Sequence, residues 1–121
     1  MRRFKFGWYG DNDLGEYMIQ QILKGEKTAS VCPAYDPQDA DLAVGEKMLL
    51  VDKHNKPRGT LLVTLIENVA LKDVDDSLAS QIGTSLQELL QALSFANGRE
   101  MKPEEELRIT YFQLTPEKPP R

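Results

Sequence analysis

The sequence has one cysteine and one histidine among its 121 residues. Cys32 alone cannot form an internal disulfide, and with His54 as the only imidazole no Cys/His zinc cage can be assembled. A reducing cytoplasmic setting and a site without metal or cofactor are therefore the expectation. No window approaches the roughly 18 apolar residues of a membrane span. The opening Met1-Arg2-Arg3-Phe4-Lys5-Phe6 runs into Gly, Trp, Tyr and Asp rather than an apolar core, which argues against a signal peptide and against a membrane partner. Positive charge is also in short supply. A formal net charge of −4 argues against holding extended duplex DNA, which needs a dense Lys/Arg surface.

What is present suits one ordinary domain spanning residues 1–121, with 40% apolar residues for a single core and a loose proline-rich tail at 116–121. Basic residues gather in the first half (Arg2, Arg3, Lys5, Lys24, Lys27, Lys53, Lys56, Arg58). The acidic excess lies at 73–76 and 104–106. A nucleoside or a short RNA element fits this distribution better than a long duplex. Nothing in the pattern sets the oligomeric state.

Leu14, Met18 and Ile22 recur every four residues, with Ile19 and Leu23 beside them, and predict a helix over 13–24. Asn12 or Asp13 is placed to cap it, and Gly25 stands where a helix-ending glycine belongs. A strand over 28–32 should stop at Pro33, and 34–44 reads as a loop. Residues 48–51 and 60–66 read as strands, the second alternating Leu61, Val63 and Leu65 against Thr60, Leu62 and Thr64. The turn between them is centred on Asn55 and carries His54. Val74, Leu78 and Ile82 suggest a short helix with an acidic first turn, closed by Gly83. Ser85-Leu86-Gln87-Glu88 is a capping box for a second helix with a Leu86, Leu89, Leu90, Leu93 face, ended by the loop Asn97-Gly98-Arg99. A last strand at 107–114 puts Leu107, Ile109 and Tyr111 opposite Phe112 and Leu114. The hairpin demands antiparallel pairing, so the expected class is α+β with a small mixed barrel.

Lys27 comes two residues after the helix-ending glycine, at a strand start that can aim it inward, where burial lowers an amine's pKa and lets it act as base or oxyanion partner. Ser30 follows three positions later. In an extended segment that spacing points to opposite faces, so the two meet only if the backbone bends. The plain alternative is an exposed lysine at a helix exit and an ordinary strand serine. Tyr9, Tyr35 and Tyr111 can stack on a base, although each is also a normal core or rim aromatic. Cys32 has no histidine nearby in sequence to activate it.

Taken in order, Tyr9-Gly10-Asp11-Asn12, an amphipathic helix, Gly25-Glu26-Lys27-Thr28-Ala29-Ser30 and Val44-Gly45-Glu46 resemble the ASCH domain family. Leu65-Ile66-Glu67-Asn68-Val69, Ser85-Leu86-Gln87-Glu88-Leu89 and Tyr111-Phe112-Gln113-Leu114 extend the resemblance over nearly the whole chain. It implies a PUA-like barrel with flanking helices and a cleft for RNA or a modified nucleoside, with Gly25, Thr28, Tyr9, Tyr35, Tyr111 and Glu67 as ligand-binding candidates. Some small members are amidohydrolases that deacetylate N4-acetylcytidine with a lysine, a threonine three residues later and a glutamate. By that pattern Lys27 matches the lysine and Ser30 the threonine. Gln81 or Ile82 stands where the glutamate is expected, and glutamine cannot take a proton. Glu67 is the candidate to replace it in space. Three functions follow from the resemblance: nucleoside or RNA binding, deacetylation, and a non-catalytic partner-binding role.

Overall fold

A computed structural model describes residues 1–37, 40–98 and 101–116. The order of elements is β1 (Arg2–Lys5), α1 (Leu14–Leu23), β2 (Ala29–Pro33), β3 (Lys47–Val51), β4 (Pro57–Ala70), a 3₁₀ turn (Leu71–Asp73), α2 (Asp76–Ile82), α3 (Leu86–Asn97) and β5 (Glu106–Leu114). The five strands form one sheet in the order β1-β3-β4-β5-β2, which curls into a half-barrel. Only β1 and β3 run parallel. The other three pairs are antiparallel, and of these β3–β4 is the one the hairpin at Asn55 requires.

Helix α1 starts by a route that differs from the sequence expectation. Asp13 occupies the cap position in a left-handed conformation, φ 63°, and its side chain caps nothing. The carboxylate of Asp11 does the work instead, accepting from the N–H groups of Trp8, Asp13 and Gly15. These charge-assisted bonds, Gly15's foremost, hold the Asp11 pKa below its ordinary value. Ser85 caps α3 as expected, accepting from the Glu88 N–H, while Asp75, expected in the acidic first turn of α2, is its cap and accepts from the Leu78 N–H. The capping box is incomplete, because the Glu88 carboxylate accepts from the Thr84 hydroxyl. Gly98 closes α3 with φ 67°, while Arg99 and residues 117–121 of the tail lie outside the described residues.

Two apolar cores flank the sheet. On one face α1 contributes Ile19 and Ile22 against Phe6, Met48, Leu50, Leu61, Val63 and Phe112. On the other, α2 and α3 bring Leu78, Ile82, Leu89 and Leu93 onto Ala29, Leu107 and Ile109. Leu90 is 39% exposed and adds little to that face. The strand at 60–66 proves to be the middle of β4, and its expected alternation fails at one point. Val63 pairs with Phe112 but Leu65 pairs with Tyr111, so Thr64 is an extra residue bulging from the ladder. Beyond it the faces exchange, which leaves Leu65 47% exposed and sends Val69 to the α2–α3 core. A bulge cannot be seen in an alternating pattern until the partner strand is known.

The first turn of α1 presses against the chain leaving β1. A Cβ built on Gly15 would come within 2.2 Å of the Gly7 Cα and 2.6 Å of the Gly7 nitrogen. In an open helix, glycine to alanine gains about 1 kcal/mol. Here the neighbour is backbone and cannot step aside, so overpacking decides the sign. Gly15→Ala is expected to destabilise the protein by about 3 kcal/mol in urea unfolding. Gly25→Ala, at φ +79° with nothing within 4 Å of the added carbon, should cost only about 1 kcal/mol.

Candidate functional site

The chain leaves α1 through a turn that several elements clamp. Gly25 N–H bonds Ile22 O, and the N–H groups of Glu26 and Lys27 both bond Gln21 O. Thr28 N–H then bonds Gln81 O at 2.8 Å, and Thr28 O accepts from Phe112. Lys27 therefore sits in a turn ahead of β2, where the rule of opposite faces does not apply. Its side chain points inward and is 4% exposed. The ammonium donates to Ala29 O at 2.9 Å and Ile82 O at 2.5 Å, and lies 5.8 Å from the centroid of the Phe6 ring. Ile82 ends α2, where the last carbonyls lack intrahelical partners, so the ammonium satisfies one of them.

Among the described residues no carboxylate pairs with this charge. Lost hydration is the cause of its lowered pKa, about 8 against an ordinary 10.5. The side chain forms part of a cavity of about 360 Å³ walled by Phe6, Met18, Val31 and Leu89, with Gln21, Thr84 and Glu88 as further polar groups. Half-buried Ser30 belongs to the same wall. Lys27 and Ser30 thus share one chamber, although the ammonium's hydrogen bonds go to the two carbonyls.

The other sequence candidates are distributed differently. Gly25 and Thr28 flank Lys27 along the backbone but lie outside the chamber wall, as do Tyr9, Tyr35, Tyr111 and Glu67. Tyr9 is 80% exposed and meets His54 edge-on; Tyr35 is 63% exposed. The Tyr111 hydroxyl donates to the Glu67 carboxylate at 2.7 Å, and burial together with that carboxylate pushes its pKa up to about 12. Glu67, the candidate to stand in for the missing glutamate, is thus engaged with Tyr111 and is not in the wall of the Lys27 chamber. Gln81 is exposed and contributes its carbonyl to Thr28, while Ile82 contributes its carbonyl to Lys27. The carboxylate that does line the chamber is Glu88, from the first turn of α3. In the sequence it reads only as the far half of a capping box. Tyr17, 60% exposed on α1, joins buried Phe6 as an aromatic at the chamber, and its place on an amphipathic helix gave no signal for it. Among the described residues no group of three or more His, Cys, Asp or Glu is gathered to hold a metal, and no helix is long and apolar enough to cross a membrane.

The Lys27 shift has a stability consequence of definite sign. Between pH about 8 and 10.5 the unfolded chain keeps a proton on Lys27 that the folded chain has released, so folding is favoured as pH rises through that window. A shift of this size is worth roughly 3 kcal/mol. Lys27→Met removes the titrating group. Urea unfolding at both ends of the window should show the wild type gaining about 3 kcal/mol on the variant as pH rises. An unchanged difference would mean that the amine is hydrated.

The sequence matches no protein-family model and no curated protein. Solved structures do resemble the fold. A protein of Enterococcus faecalis V583 described as family DUF984 superposes with a TM-score of 0.76 at 18% identity, over 95% of this chain and 77% of that one. An ASCH domain from Lactobacillus crispatus gives 0.74 at 20% identity, over 93% and 79%. A mutant of an ASCH protein from Zymomonas mobilis gives 0.51 at 12% identity, over 81% and 63%. At such identities the property held in common is architecture, and the chain has an ASCH-like fold.

Proposed function

We propose that the chain binds a nucleoside-type ligand, free or within RNA, in the chamber over Lys27. The observation that carries this reading is the buried ammonium compensated by two carbonyls and, among the described residues, by no carboxylate. An ammonium has three donors, and one remains for a ligand oxygen. The chamber of about 360 Å³ falls in the usual range for small-molecule pockets, roughly 300 to 1,000 Å³. Its apolar walls suit the flat face of a base, and a base carbonyl is the acceptor the ammonium lacks. Glu88 can accept from an exocyclic amine, and Tyr17 offers a stacking surface at the opening.

Calorimetric titration with cytidine and with short single-stranded RNA tests the reading. Lys27→Met should weaken binding about tenfold, the worth of one charge-assisted hydrogen bond. Tyr35→Ala, away from the chamber, should change it little. Absence of binding by both ligands, or binding indifferent to Lys27, refutes the proposal.

A second reading, deacetylation of N4-acylated cytidine, is favoured by the lowered Lys27 pKa and by the presence of Ser30 in the same wall. Ser30 Oγ would add to the amide carbonyl carbon while its proton passes to the neutral Lys27 amine. The lysine would return that proton to N4 as cytidine leaves, and water would hydrolyse the acyl-serine. Cytidine release from N4-acetylcytidine should then rise with pH towards about 8 and vanish in Lys27→Ala and Ser30→Ala. Turnover that survives both substitutions excludes this chemistry.

A further inference from the structure

We infer that the open seam of the half-barrel is a phosphate subsite, so that the ligand of the Lys27 chamber is a nucleotide, free or within RNA, rather than a bare nucleoside. The inference rests on the reading of the chamber given above. Strands β1 and β2 are the two edges of the sheet, and its curl brings them to opposite sides of a second cavity of about 190 Å³. Arg3 and Lys5 reach it from β1, Ser30 and Cys32 from β2, and Arg108 from β5.

Several cations elsewhere on the molecule are already held by carboxylates. Arg2 is held by Asp41 and Glu46, Arg58 by Glu16 and Asp52, and Lys53 by Asp11 and Asp13. Arg3 and Lys5, both exposed, have no carboxylate partner among the described residues. Arg108 is fixed in place, its Nη2 donating to Cys32 Sγ at 3.3 Å and to Asp36 O at 3.2 Å. Among the described residues lining this cavity, Asp36 is the one acidic side chain, beside three cationic ones. In a chain of net charge −4, Arg3 and Lys5, without a carboxylate partner among the described residues and gathered with Arg108 at one cavity, suit an anion from outside. A phosphate group, with several acceptor oxygens and up to two charges, can take donors from both sides of the seam at once.

The two cavities are neighbours, since Ser30 and Val31 are in the wall of both. A base in the Lys27 chamber would place its sugar beside the Ser30 hydroxyl and direct an attached phosphate into the seam. Nucleoside and phosphate would then occupy adjoining cavities with Ser30 between them.

Calorimetry with cytidine, cytidine 5′-monophosphate and a four-nucleotide single-stranded RNA separates the two parts of the cleft. At low salt the monophosphate should bind about tenfold more tightly than cytidine. Arg3→Ala/Lys5→Ala should abolish that advantage and leave cytidine affinity unchanged. The RNA arm shows whether a phosphodiester takes the same place. Because both substituted side chains are exposed, circular dichroism should report a folded double variant. As an independent readout, inorganic phosphate should shift the backbone amide resonances of Arg3 and Lys5 in the wild type. Equal affinity for cytidine and its monophosphate, an advantage that survives the double substitution, or no phosphate-induced shift overturns the subsite while leaving nucleoside binding intact. Failure of all three ligands to bind, with the phosphate shifts still present, instead removes the chamber reading and leaves an anion site alone.

Discussion

An ammonium group buried against two backbone carbonyls joins the parts of this molecule that matter to its cleft. Ala29 O belongs to the first residue of β2 and Ile82 O to the last of α2, so one side chain fastens a strand edge to a helix end that lies 55 residues beyond the lysine in sequence. The arrangement runs against stability. Taking a charge out of water is costly, and two carbonyl dipoles offset only part of that cost. A methionine of similar length would fill the space without it. A charge kept where an apolar group would be cheaper belongs with the strained and uncompensated groups that gather at functional sites.

The clamp on either side of Lys27 explains why the group stays in place. Gln21 holds the turn through its carbonyl and also reaches Gly83 O through its side-chain amide at 2.9 Å, so α1 and the end of α2 are tied to the same few residues. Arg58 adds a forked contact to Glu16 at 2.6 and 2.9 Å, fixing α1 to the β3–β4 hairpin and depressing the Glu16 pKa to about 2. The floor of the chamber is therefore set by backbone and by paired side chains. Its rim, with Tyr17 and Glu88 exposed, is free to adapt to a ligand.

Much of this was legible in the amino-acid order, for reasons that differ by element. Periodicity located α1, α3 and the strands because burial on one face imposes it, and the cap of α3 announced itself through Ser85, whereas Asp75 read as a first-turn acid and proved to be the cap of α2. The inward lysine was inferable from the glycine before it. What escaped depends on pairing across the sheet or on packing between distant segments. Thr64 looks like any strand residue until Tyr111 takes Leu65 as its partner. The three-bond role of Asp11 hides behind two better-placed cap candidates, and Glu88 reads as capping chemistry although it also faces the chamber. Tyr9 and Tyr35 carried the right chemistry but were placed by loops that no periodic signal constrains.

The bulge at Thr64 reaches further than the exposure of one leucine. Because β4 changes allegiance partway along its 14 residues, the same strand serves as floor for α1 at one end and for α2 and α3 at the other. Neither side can melt while the other keeps its full ladder, since both lean on one pair of strands. The two cores are bound into a single cooperative unit, and a ligand seated in the cleft would tighten the whole of it rather than one half.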